Sequence, residues 1–148
     1  MNWRYRFVLA TGEEDYLTRE TRRMGIEVRV LRHLKRPIHP LEDFRAYAEC
    51  VELLRELGPD LLHLHSSKAG VVGRLAARRL GVPALFTAHG WAFTEGAPTL
   101  RRVYGLILES ILCRFGGPVV TVTEYDLHLA ERYKVGRRDR RHLIRNGV

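Results

Sequence analysis

Between Pro59 and Gly96 the chain twice runs a short apolar segment into a polar turn: Leu61 to His65 into Ser66-Ser67-Lys68, and Ala84 to Ala88 into His89-Gly90. A helix-compatible stretch of small residues, Lys68 to Leu80, lies between them. Strand, helix, strand at this spacing admits few folds, because parallel neighbours need a long crossover, usually a helix, and that crossover is right-handed. An open parallel sheet presents ligand-binding groups at the carboxyl ends of its strands, so the two turns are expected side by side on one rim.

The same alternation extends in both directions. Tyr5 to Ala10 reads as a strand closed by Thr11-Gly12, and a polar helix follows from Glu13 to Met24, stopped at Gly25. Ile26, Val28 and Val30 alternate with charged residues up to Leu31, the pattern of a second strand. Two prolines make His33 to Pro40 a connector. Phe44, Tyr47, Ala48, Val51 and Leu54 then recur at helical spacing, with Asp43 placed as the cap and Gly58-Pro59 as the stop.

Beyond the central stretch, Pro98 and the series Leu100, Val103, Tyr104, Ile107, Leu108 and Ile111 predict another amphipathic helix. Val119 to Val122 is an apolar strand, and Thr123 with Asp126 forms a capping signal for a helix from Glu124 to Tyr133. His142 to Ile144 is a last short strand before Arg145-Asn146-Gly147-Val148. With no tandem hairpin signals, the expected class is α/β, a Rossmann-like parallel sheet with helices on both faces.

At 148 residues the chain has the length of about one domain, enough to bury a real core, and 28% charged residues fit a soluble globular chain. Cys50 and Cys113 sit in helical patterns and read as small buried thiols in a reducing cytoplasm. The N-terminus has no apolar signal region, and the oily run from Tyr104 to Cys113 is short and broken by Glu109. A net charge of +8 attracts polyanions: nucleic acid, anionic lipid or phosphorylated substrates. Scattered doublets such as Arg22-Arg23, Arg78-Arg79 and Arg101-Arg102 fit solvated helix faces, with one denser run from Lys134 to Arg145.

Individual residues carry the chemistry. His63 and His65, two apart on a strand, point to one face and could share a metal or simply pack, but no third ligand has convincing spacing, so no metal is assigned. Ser66, Ser67 and Lys68 precede a helix, whose free amides favour an anion or are capped by a serine hydroxyl. Gly90 permits a sharp turn that exposes His89, an imidazole able to bond a sugar hydroxyl or to tie down the turn. Trp91 and Phe93 offer either a stacking platform or core anchors. There is no phosphate-binding Gly-Lys-Ser/Thr loop, dinucleotide fingerprint or Gly-x-Ser-x-Gly nucleophile turn.

Taken in order, His65-Ser-Ser-Lys-Ala-Gly-x-x-Gly-Arg-Leu-Ala-Ala, Gly81-Val-Pro, Thr87-x-His-Gly-x-Ala-Phe, Glu109, Val122-Thr-Glu and Ile144-x-Asn-Gly-Val resemble the N-terminal domain of family 4 glycosyltransferases of the GT-B architecture. The earlier Leu34-x-Arg-x-Ile-x-Pro-x-x-Asp43 is similar to the members that assemble cell-surface polysaccharides. The resemblance implies retaining transfer of a sugar from a nucleotide-sugar, with the acceptor, a glycan that can be polyprenyl-linked, held by this domain. It implies a catalytic role for His89 near the reacting carbon, with Ser66, Ser67, Lys68, Gly90, Trp91, Phe93 and Glu124 lining the substrate site, and no cofactor or metal.

The family begins with a further strand and a Gly-Gly loop, and continues past Asn146-Gly147 into a nucleotide-binding domain. The expectation is therefore one incomplete acceptor-side domain, residues 1–148, inactive without a C-terminal domain or partner subunit, cytoplasmic and peripheral at an anionic inner membrane face. The residues also leave open a reading of another class, a small basic nucleic-acid-binding module. No helix-turn-helix, zinc-finger or ribonucleoprotein-type motif supports it, and no nucleic acid partner is expected.

Overall fold

A computed structural model describes residues 4–147. The chain divides into two compact units, Met1–Cys50 and Val51–Val148. In the first, β1 (Val8–Thr11) and β2 (Glu27–Val30) pair in parallel around α1 (Tyr16–Arg23). The helix starts later than its polar composition predicts because Asp15 closes a reciprocal cap. Its carboxylate accepts the Thr18 amide at 3.0 Å, while the Thr18 hydroxyl accepts the Asp15 amide at 3.0 Å. Gly25, at φ 76°, makes the left-handed exit that the sequence assigns to it. Tyr5 and Phe7 lie outside the strand and are exposed.

The long helix α2 (Pro40–Leu57) corrects two expectations. It starts at Pro40, whose fixed φ suits a first helical position, so Asp43 lies inside the first turn and its carboxylate accepts the His39 amide at 3.1 Å. Its buried face is Ala46, Cys50, Val51 and Leu54, whereas Phe44 is 67% exposed. Phe44 fits the helical period, but the buried row runs through Ala46, Cys50 and Leu54 at four-residue steps.

The second unit alternates strictly: β3 (Leu62–His65), α3 (Ser67–Leu80), β4 (Ala84–Ala88), α4 (Thr99–Leu112), β5 (Val119–Thr121), α5 (Glu124–Arg132), a 3₁₀ turn (Arg138–Arg140) and β6 (Arg141–Leu143). Its strands pair in parallel in the order β3-β4-β5-β6. Every described ladder is thus parallel with intervening helices, as the alternation predicts, although the strands form two ladders and not one. The core gathers Leu64, Phe86, Trp91, Phe93, Leu129 and Val135.

The small residues of α3 bring it close to the sheet. A Cβ on Gly73 would stand 2.2 Å from Leu64 Cδ2, and one on Gly70 would stand 2.7 Å from Phe86 Cε2. That approach holds a charge in the interior. Arg74, 1% exposed, donates from its Nε to the Gly70 carbonyl at 2.7 Å, and one terminal nitrogen reaches both Glu109 oxygens at 3.0 and 2.8 Å. Its guanidinium also covers the Phe86 ring, 4.4 Å from the centroid. Burial raises the Glu109 carboxyl above its ordinary value, against the pull of Arg74. Burial likewise pushes the free thiols of Cys50 and Cys113 up to about 11, the inert state expected of them.

Removing one member of such a pair strands the other charge in the interior. Arg74→Met is expected to lower unfolding free energy by about 3–5 kcal/mol, and Arg74→Met with Glu109→Leu to recover much of that loss. Urea denaturation of the two variants checks this; a double variant no more stable than the single one counts against it.

Candidate functional site

Because β3, β4, β5 and β6 are parallel neighbours, the segments leaving their carboxyl ends share one rim, spaced by about 4.8 Å per strand. The turn after β3 is Ser66-Ser67-Lys68, that after β4 is His89-Gly90, that after β5 is Thr123-Glu124, and Arg145 follows β6. The side-by-side arrangement read from the sequence is thus present. A shallow hollow lined by Pro83, Ala84, Phe115 and Pro118 opens at the other end of β4 and β5, away from these groups.

His89 is exposed, one residue beyond β4, and Gly90 after it adopts φ 149°. The φ is outside the range that side chains favour, so Gly90 is there for its backbone. Ser66 stands at φ 69° and ψ 151°, a conformation that is rare outside glycine and costs about 1–3 kcal/mol. Its hydroxyl makes no cap bond to α3, so the expected serine cap at Ser66 is absent; the Ser66 carbonyl accepts the helix's first backbone bond, from the Gly70 amide at 2.9 Å. Ser67 is exposed and Lys68 is half-buried, both in the first turn of α3.

Thr123 caps α5 as predicted, its hydroxyl accepting the Asp126 amide at 3.1 Å and donating to the Asp126 carboxylate at 2.6 Å. Glu124, beside it, is exposed and ion-paired with Arg145, which joins the turns after β5 and β6. Arg145 carries no role in the sequence reading, and its position on the rim follows only from the β5–β6 pairing.

Two residues are corrected. Trp91 and Phe93 are 4% and 1% exposed, so neither presents a face on which a sugar could stack. Their rings stack on each other, 5.0 Å apart, and the Trp91 indole nitrogen donates to the Asp126 carbonyl at 2.8 Å. Core anchoring wins because the indole body and its one polar atom are both satisfied inside.

What sequence spacing does not reveal is a cluster of three imidazoles. His65 Nδ1 and His89 Nε2 are 2.9 Å apart, and His63 Nε2 lies 2.8 Å from the Thr87 hydroxyl. The His63 and His65 rings are 4.2 Å apart, and those of His65 and His89 are 5.3 Å apart. The strand register, which pairs His63 with Leu85 and His65 with Thr87, brings the residues together. Among the described residues, no group of three or more metal-binding side chains is arranged to hold an ion. The values of His63 and His65 are lowered, first by burial and then by the neighbouring imidazoles.

The parallel strands, intervening helices and polar carboxyl-end rim define a Rossmann-like α/β class. A family model described as the glycosyl transferase 4-like domain matches residues 2–147, and the chain belongs to that family. It is 43% identical over 61 residues, 40% of this chain and 16% of the other, to the UDP-Gal:alpha-D-GlcNAc-diphosphoundecaprenol alpha-1,3-galactosyltransferase of Escherichia coli. A glycosyltransferase from Rickettsia africae superposes with a TM-score of 0.71 at 22% identity, over 95% of this chain and 35% of that one. Anabaena HepE, solved with UDP-glucose, does so at 0.72 and 20% identity, over 95% and 36%. The chain therefore spans about a third of the length of these solved structures, which match it as GT-B glycosyltransferase folds.

The lowered histidine values fix a pH dependence. Folded values below the ordinary 6.5 mean that the unfolded chain binds more protons, so the contribution is fully present above about 6.5 and is lost as pH falls through the folded values. Unfolding midpoints measured between pH 7.5 and 5.5 are expected to fall, and His63→Gln is expected to flatten that slope; an unchanged slope would count against the cluster as its source.

Proposed function

We propose that this domain is the acceptor-side half of a retaining glycosyltransferase, transferring a sugar from a nucleotide-sugar to a lipid-linked glycan. The observation that carries the reading is the exposed His89 at the centre of the rim, between the turn after β3 and the turn after β5. An imidazole there can bond a hydroxyl of the sugar being transferred, while Ser66, Ser67, Lys68 and Glu124 supply polar walls. Sugar transfer requires the donor carbon and the acceptor hydroxyl to be held together, and most of that advantage comes from positioning. The donor's nucleotide is assigned to a second domain or partner subunit, because the chain spans about a third of the solved structures that it matches. The 148-residue polypeptide alone is accordingly expected to show no sugar transfer.

The acceptor class is supported by the name of the Escherichia coli relative, which acts on a diphosphoundecaprenol-linked sugar. Such an acceptor lies at a membrane surface, and α4 has a face suited to one. Leu100, Val103, Tyr104, Ile107 and Ile111, 49–83% exposed, form one stripe, with the exposed Arg101 and Arg114 beside it. The helix's Glu109 is turned inward to Arg74, so the stripe carries no acidic group. Apolar side chains flanked by arginine match the boundary of an anionic bilayer. On the strength of that face and the relative's acceptor, the reading is of a peripheral protein at the inner face. Among the described residues no helix is long and apolar enough to cross a membrane.

Two measurements test this. Binding of a short-chain polyprenyl diphospho-sugar, followed by saturation-transfer NMR, is expected to weaken about tenfold in His89→Ala, the worth of one hydrogen bond; equal binding would remove His89 from the site. Flotation with anionic vesicles is expected to weaken roughly 30-fold when Arg101 and Arg114 become Gln, at about 1 kcal/mol per charge, and to be lost in Ile107→Asp. Binding that ignores lipid charge and salt would overturn the membrane reading.

A further inference from the structure

The pair His65 and His89 has a property that neither has alone. Each neutral imidazole has one N–H and one bare nitrogen, and the hydrogen bond made by one nitrogen fixes what the other presents. His89 Nε2 is engaged with His65 Nδ1 at 2.9 Å, so His89 Nδ1 is the atom left for a ligand. A single proton lies between the two rings. If it sits on His89 Nε2, His89 Nδ1 is bare and accepts; if it sits on His65 Nδ1, His89 Nδ1 carries a proton and donates.

We propose that His65 is a positioning residue that sets the hydrogen-bonding sense of His89: with both rings neutral, His89 Nε2–H donates to His65 Nδ1 and leaves His89 Nδ1 bare. In this arrangement both rings keep the Nε2–H form that free neutral histidine prefers, and the contact of His63 Nε2 with the Thr87 hydroxyl is compatible with the same form. His89 Nδ1 then accepts from a hydroxyl, such as that of a sugar.

From β3 the groups in the cluster are His63 and His65, and from β4 and its turn Thr87 and His89. Burial first, and then the charges that His63 and His89 carry when protonated, hold the His65 value below its ordinary one, so His65 keeps a bare Nδ1 as the acceptor. The assignment uses the same site as the proposed glycosyl transfer and fixes the polarity of its imidazole, but it requires no turnover to be tested.

The test is long-range ¹H–¹⁵N NMR of the histidine rings in the full 148-residue chain at pH 8. The expected result is that His89 is protonated at Nε2 and bare at Nδ1. His65→Asn, whose side-chain oxygen accepts as Nδ1 does, is expected to keep His89 in the Nε2–H form. His65→Ala is expected to leave a mixture of tautomers. All three side chains are exposed, and circular dichroism verifies that the variants fold. A His89 tautomer unchanged in His65→Ala, or His89 protonated at Nδ1 in the wild type at pH 8, would overturn the proposal. Either result leaves the acceptor-binding test of His89 standing, so the two readings fail separately.

Discussion

A buried guanidinium organises the second unit. Arg74 lies where helix α3 approaches strand β4, and its contacts reach the carbonyl of Gly70, the carboxylate of Glu109 on α4 and the face of Phe86. A charge in that position is tolerable only because its partners are close and numerous. The glycines make the room: a Cβ on Gly116 would stand 2.4 Å from Arg74 Cδ, and one on Gly70 would meet Phe86. The small-residue helix and the buried ion pair are therefore one device. It fixes two helices to a strand whose carboxyl end carries His89, and so gives an exposed imidazole a stiff foundation.

Glu109 also decides what the outer face of α4 can meet. Turned inward, it neutralises Arg74 and leaves the solvent side of the helix with apolar residues and arginines. One side chain thus serves the interior and, by its absence outside, the electrostatics of the surface. The same economy holds at the other end of the sheet, where Glu124 and Arg145 pair across two adjacent turns.

Most of the elements were legible because local chemistry and tertiary need agree there. Ala84 to Ala88 is a strand from end to end, and Gly25 and Gly81 end their helices at φ 76° and 70°. Thr123 caps α5 because its hydroxyl has the amide of Asp126 within reach. Where the reading slipped, the cause was either a choice between neighbouring helix positions or distance along the chain. Phe44 has the right helical period but is exposed, since period does not say which of two neighbouring rows is buried. Arg74 looks like any surface arginine until α4, thirty-five residues later, supplies its carboxylate. The imidazole pair depends on residues twenty-four apart, which only the β3–β4 register brings to 2.9 Å. Trp91 and Phe93, weighed as platform or anchor, resolve to anchor because Asp126 offers a carbonyl inside.

The anchoring of Trp91 has a mechanical side. Besides its bond to Asp126, the segment after His89 is tied to α5 where the Glu95 amide meets the Tyr125 hydroxyl at 3.2 Å and where Arg132 pairs with the Glu95 carboxylate at 3.1 Å. Loop and helix are thus riveted at several points along their length. The turn bearing His65 and Ser66 and the turn bearing His89 are in addition joined by the β3–β4 ladder, by the His63–Thr87 contact and by the contact between the imidazoles, so the rim is laced across its strands as well as along them.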